Sequence, residues 1–154
     1  MIETIELAAG VTLLAVQTEK FKSGCFSFNL MRPHTKAAAP LDALLPSVLL
    51  RGSERWPDMR AISMRLDELY GASVSAGVRM KGDGEVLYFS AEYISDKFAD
   101  EGISRDMAEF IRDFIFSPIC ENGGFLKSYV DGEKVNLPKN CFSGNAKTRT
   151  YTGK

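Results

Sequence analysis

The chain contains a single histidine, His34. Any nucleophilic site of the Cys–His or Ser–His–Asp kind would therefore have to recruit it. His34 follows Pro33 at the end of a strand-like run, and nothing lies near it at metal-ligand spacing. It reads as a strand-end residue. Cys25, Cys120 and Cys141 are odd in number, far apart and outside any C-x-x-C motif. That pattern points to reduced, buried structural thiols and away from a disulfide framework or an activated nucleophile. Gly82-Asp83-Gly84 has the glycines of a phosphate loop, but it joins two strands and opens no helix, so it reads as a hairpin turn. Arg60, Arg65, Asp67 and Glu68 fall on one helical segment and read as a solvated face. Residue types and spacing alone show no catalytic constellation.

The elements that would position these residues are clearer. Around them the chain is organised by the stretch Pro40–Gly71, a helix, a charged loop and a second helix. Leu41, Leu44, Leu45, Val48 and Leu49 follow the i, i+3, i+4, i+7, i+8 rule of an apolar helix face. Pro46 interrupts this helix by removing one backbone donor, which tends to kink or restart it. Gly52 is free to take positive φ at the helix end. Asp58 is placed to cap the second helix, which Met59, Ile62, Leu66 and Leu69 make apolar on one face and Gly71 closes.

Strands flank this pair. Thr12–Thr18 is β-rich, and in Ser23–Met31 the residues Phe26, Phe28 and Leu30 alternate with polar or small neighbours. Val74, Ala76, Val78 and Met80 alternate before the Gly-Asp-Gly turn, and Leu87, Phe89, Ala91 and Tyr93 alternate after it. This predicts an antiparallel hairpin. Residues 103–116 return to helical spacing with Met107, Phe110, Ile111 and Phe114 on one face. A last amphipathic segment at roughly 123–137 carries Phe125, Tyr129 and Val130. The order predicts an α+β fold, an antiparallel sheet with helices packed on one face.

Composition bounds the function. The chain has 154 residues, 45% hydrophobic and 25% charged, with a formal net charge of −1. It is one domain or part of a larger one, and the charge balance argues against nucleic-acid binding. No apolar run is long enough for a membrane span, and the start MIETIELAAG carries no basic n-region, so a cytoplasmic location is expected. From Pro138 to Lys154 there are four basic residues, no acid and no periodicity. That segment reads as a disordered or aberrant basic tail, leaving 1–137 as the folded part.

One extended pattern carries a resemblance. Leu49-Leu50-Arg51-Gly52-Ser53-Glu54-Arg55-Trp56-Pro57 is followed by Ala61-Ile62-Ser63 and Leu66-Asp67-Glu68-Leu69-Tyr70-Gly71-Ala72. After the hairpin come Phe116-Ser117-Pro118, then Glu121-Asn122-Gly123-Gly124-Phe125 before Glu133-Lys134. In this ordered combination, over roughly residues 5 to 137, the chain resembles the insulinase (pitrilysin) family of zinc metallopeptidases. It is most similar to bacterial members whose first helix reads Leu-Leu-Pro before the loop. The resemblance implies a peptidase-like half-domain, incomplete at its C-terminus.

Active members of that family carry H-x-x-E-H on the first helix, two zinc-binding histidines and a water-activating glutamate. Those positions fall on Ala43, Pro46 and Ser47 here, and no cofactor is expected. Alanine and proline carry no side-chain ligand, and a lone serine is a poor one. The family's third ligand, a glutamate, would fall near Glu133, which reads as a surface carboxylate. The resemblance thus implies a non-catalytic homologue, a subunit or fragment that pairs with a homologous catalytic zinc peptidase, or with the missing remainder of the protein, and helps bind peptides. The alternative is a zinc endopeptidase whose site is completed by another chain or region. Pro138 opposes continuation of the family's helix, so the chain reads as a truncated or frame-shifted N-terminal piece with exposed apolar surface.

Overall fold

The structure is a computed structural model and describes residues 1–99 and 101–137. The basic tail and Cys141 lie outside the described residues. The fold is α+β, with four α-helices and antiparallel sheets among the described residues. The hairpin of β1 (Ile2–Ala8) and β2 (Val11–Val16) turns through Gly10 at φ +77° and forms a two-stranded sheet of its own. Its register sets Ile2 against Val16 and Ile5 against Leu13, and Ile2, Leu7, Leu14 and Val16 are exposed.

The second sheet has the order β3-β5-β4, from β3 (Ser23–Pro33), β4 (Ser73–Lys81) and β5 (Gly84–Ile94). The expected hairpin is β4–β5, with Lys81 opposite Gly84. Gly82 takes φ +60° there, the conformation that a two-residue turn with glycine first requires. Period-two alternation sends Phe26, Phe28, Phe89, Ala91, Val74 and Ala76 to one face, where Phe28 faces Phe89 and Phe89 faces Ala76. The other face carries the row Ser27, Ser90 and Ser75. Cys25 belongs to that outer face, paired with Glu92, and is exposed. Cys120 is exposed as well, so the expectation of buried thiols is corrected for both.

Among the described residues the α-helices are α1 (Ala39–Leu49) and α2 (Met59–Glu68), between β3 and β4, and α3 (Ile103–Phe116) and α4 (Lys127–Asn136), after β5. Between α3 and α4 the minute hairpin β6 (Cys120–Glu121) and β7 (Gly124–Phe125) turns through Asn122 and Gly123, both at positive φ. The last helix accordingly begins at Lys127, and Phe125 is a strand residue. The core joins Met107, Phe110, Ile111 and Phe114 of α3 to Phe89 and Ala91 of β5, Leu49 of α1 and Ile62 of α2. Trp56 packs edge-on to Phe110 at 5.6 Å, and Phe110 edge-on to Phe114 at 4.9 Å.

Five local expectations change. Leu41 is exposed and Asp42 is buried; the buried residues of α1 are Asp42, Leu44, Pro46, Val48 and Leu49, which cover more than one side of the helix. The helix runs through Pro46 without a break. Gly52 does not take positive φ; a Cβ there would lie 2.9 Å from the Pro57 carbonyl oxygen, so the loop needs glycine for close approach. Met59 is exposed, while Asp58 caps α2 as expected, accepting from the Ala61 amide at 2.8 Å. Arg65 is no solvated face residue, since it donates to Asp106 of α3 at 2.6 Å and to Glu68 at 3.2 Å.

Phe110 is the ring that connects the lone tryptophan to the core. Phe110→Ala is expected to cost about 3–5 kcal/mol. The variant should also change the native Trp56 emission, read in a urea titration followed by fluorescence; an unchanged midpoint would mean that α3 is not a core helix.

Candidate functional site

Ala43, Pro46 and Ser47 lie on α1, where i, i+3 and i+4 spacing brings them to one side of the helix. Pro46 is buried and Ala43 and Ser47 are half-buried. The elements that pack on α1 are β4, β5 and α4. Glu133 sits on α4, so the fold does bring the helix of the degenerate motif and the helix of the candidate carboxylate together. It does not give them a ligand set. Neither Ala43 nor Pro46 offers a side-chain donor atom, and Glu133 is engaged by Arg51, whose Nε–H donates to its Oε1. The Glu133 side chain is only 12% exposed, so it is not the surface carboxylate that the sequence suggested. Arg51 follows the C-terminus of α1, where a guanidinium also suits the helix dipole. Among the described residues no group of three or more His, Cys, Asp or Glu side chains could hold a metal ion. A zinc ion does not fit this helix pair as it stands.

The opposite end of α1 holds a charged cluster. His34, which sequence spacing left alone, has its Nδ1 3.0 Å from Oε2 of Glu85 at the start of β5. Arg32, near the end of β3, donates from Nη1 to Oδ1 of Asp42 at 2.8 Å, and its Nε lies 3.7 Å from Oε1 of Glu85. Asp42 is 3% exposed and Glu85 2%. Burial is the largest influence on Asp42, and with the neighbouring Glu85 it raises the Asp42 carboxyl from 3.8 to about 6. Glu85 moves down, chiefly through its hydrogen bond with Asp42 and then through His34. The opposite shifts make Asp42 the member of the pair that keeps its proton to the higher pH. This cluster was missed because its four residues are dispersed along the chain. One signal was present: the alternation of Leu87, Phe89 and Ala91, extended two residues back, turns Glu85 toward the buried face.

Against known proteins, no family model matches the chain. It is 37% identical over 130 residues to the "Probable inactive metalloprotease YmfF" of Bacillus subtilis (strain 168), a match that spans 83% of this chain and 30% of that protein. It also superimposes on a conserved protein from Enterococcus faecalis V583 with a TM-score of 0.83 and 28% identity. That match covers 88% of this chain and 32% of the solved one. The chain thus spans about a third of the length of either relative. It is a homologue of a protein regarded as an inactive metalloprotease.

Glu133→Gln is expected to weaken the attachment of α4 to α1 by about 1 kcal/mol, since the Arg51 side chain remains partly solvated. Hydrogen exchange should then show faster amides in α4 with α3 unchanged. Equal protection in both helices of the variant would show that the ion pair carries no weight.

Proposed function

We propose that this chain is a non-catalytic homologue of the insulinase (pitrilysin) type of metallopeptidase. In this reading it works as a subunit or segment that pairs with a homologous catalytic zinc peptidase, or with the remainder of a longer polypeptide, and helps bind peptides. The observation that supports the reading is the chemistry of α1, where Ala43, Pro46 and Ser47, which by the resemblance stand for the two metal-binding histidines and the catalytic base, offer no metal site. Water activation by zinc needs an open, multiply ligated ion and a nearby base. A helix with alanine and proline at those places supplies neither, and the remaining carboxylate, Glu133, is held by Arg51.

The pairing half of the reading draws on the β1–β2 hairpin. Its exposed Ile2, Leu14 and Val16 share one face and form the kind of apolar surface that soluble proteins usually cover. Relatives of about three times the length have the additional polypeptide to cover it. A peptide-binding role follows from the same kinship and from no residue of this chain alone.

The test is zinc content and cleavage measured together. The purified chain, dialysed against zinc and analysed by mass spectrometry, is expected to retain far less than one equivalent and to leave fluorogenic peptides intact. Co-expression with a homologous catalytic peptidase should yield a complex that co-elutes in sizing chromatography. Near-stoichiometric zinc with chelator-sensitive cleavage would overturn this reading in favour of an endopeptidase completed by another chain or region.

A further inference from the structure

The cluster at the N-terminal end of α1 carries an inference that does not depend on the peptidase reading. Asp42 and Glu85 are both almost fully buried, on different elements, with one cation bonded between them. Oδ2 of Asp42 and Oε1 of Glu85 are buried and have no N–H or fixed O–H donor among the described residues. A single proton shared between the two carboxyls satisfies both oxygens and leaves one negative charge facing Arg32. Removal of that proton leaves two negative charges facing one guanidinium, 2.8 Å from Asp42 and 3.7 Å from Glu85, with the His34 imidazole 3.0 Å from Glu85.

We propose that the Asp42–Glu85 pair is a proton-operated latch between the first turn of α1 and the sheet, closed when the pair shares one proton and loosened when that proton leaves. The charged groups acting on Asp42 are Glu85 from β5, and Arg32 and His34 from the end of β3. Lys81 and Asp83, at the β4–β5 turn, line the groove that borders Arg32 and Glu85.

The direction of the pH effect follows from the shifts. Asp42 is raised to about 6, so the stability linked to its proton is complete below its ordinary value of 3.8 and is lost as pH rises through about 6. Glu85 is lowered, so its contribution is present above its ordinary 4.5 and is lost as pH falls through its folded value. The latch is therefore tightest in mildly acidic solution and open above neutrality. Arg32 prevents it from springing fully apart.

Carboxyl 13C NMR of the 154-residue chain tests this directly. One aspartate carboxyl should titrate near pH 6, disappear in Asp42→Asn and move at least about one unit lower in Glu85→Gln. Amide exchange in α1, corrected for intrinsic rates, should speed up by about tenfold between pH 5 and 7.5. Asp42→Asn should flatten that change, because the amide can donate to Glu85 at every pH, while His34→Gln should preserve it. Absence of any carboxyl titrating above pH 5 would overturn the latch. So would a pH response that His34→Gln abolishes and Asp42→Asn leaves intact, since the imidazole would then be its source.

Discussion

The inner face of β5 is the constraint on which the fold rests. This strand lies between β3 and β4, so its backbone is paired on both sides, and Leu87, Phe89 and Ala91 all point to one face. That face must be covered, and the helices are placed to do it, with α1 toward β4 and α3 toward β3. Phe110 and Phe114 of α3 enter the same buried cluster as Phe89. The loop after α1 is held to the end of α3 by the bridge between Ser53 and Pro118, which ties the two covering helices together. Glu85 is the one charged residue in this inward series, and its burial forces Asp42, Arg32 and His34 to gather around it.

What was legible in the sequence was local. The β4–β5 hairpin, the 103–116 helix and the Asp58 cap each rest on residues within a few positions of one another, and all three stand as read. What was not legible needed partners from distant segments. Leu41 fits an apolar helix face by spacing, yet it is exposed while its neighbour Asp42 is buried, where the Arg32 guanidinium supplies a partner that a buried carboxyl needs. Glu133 looked like a surface residue until α4 was laid on α1 beside Arg51. Cys25 looked buried by residue type, but the strand's alternation assigns it to the face opposite Phe26 and Phe28.

The two ends of α1 are fixed by different charged attachments, and its middle carries none. Its middle carries Ala43, Pro46 and Ser47, which are poor at holding a metal but compatible with a packed helix. Its N-terminal turn is fixed by charges to β3 and β5, and the residues beyond its C-terminus are fixed to α4. Similarity to a protein named as a probable inactive metalloprotease is in keeping with a helix that offers no ligand set of its own.

The β1–β2 hairpin has a consequence for cooperativity. Two strands on their own are marginal in water, since each has one unpaired edge and neither apolar face is dry. Opening this unit therefore costs less than unfolding the three-stranded sheet and its helices. The hairpin and the main body form separate rungs of stability, and the terminal ammonium of Met1 bonded to the Gln17 carbonyl at 2.8 Å is part of what closes the lower one. Any surface that covers Ile2, Leu14 and Val16 raises that rung toward the upper one, so that association there is felt as folding.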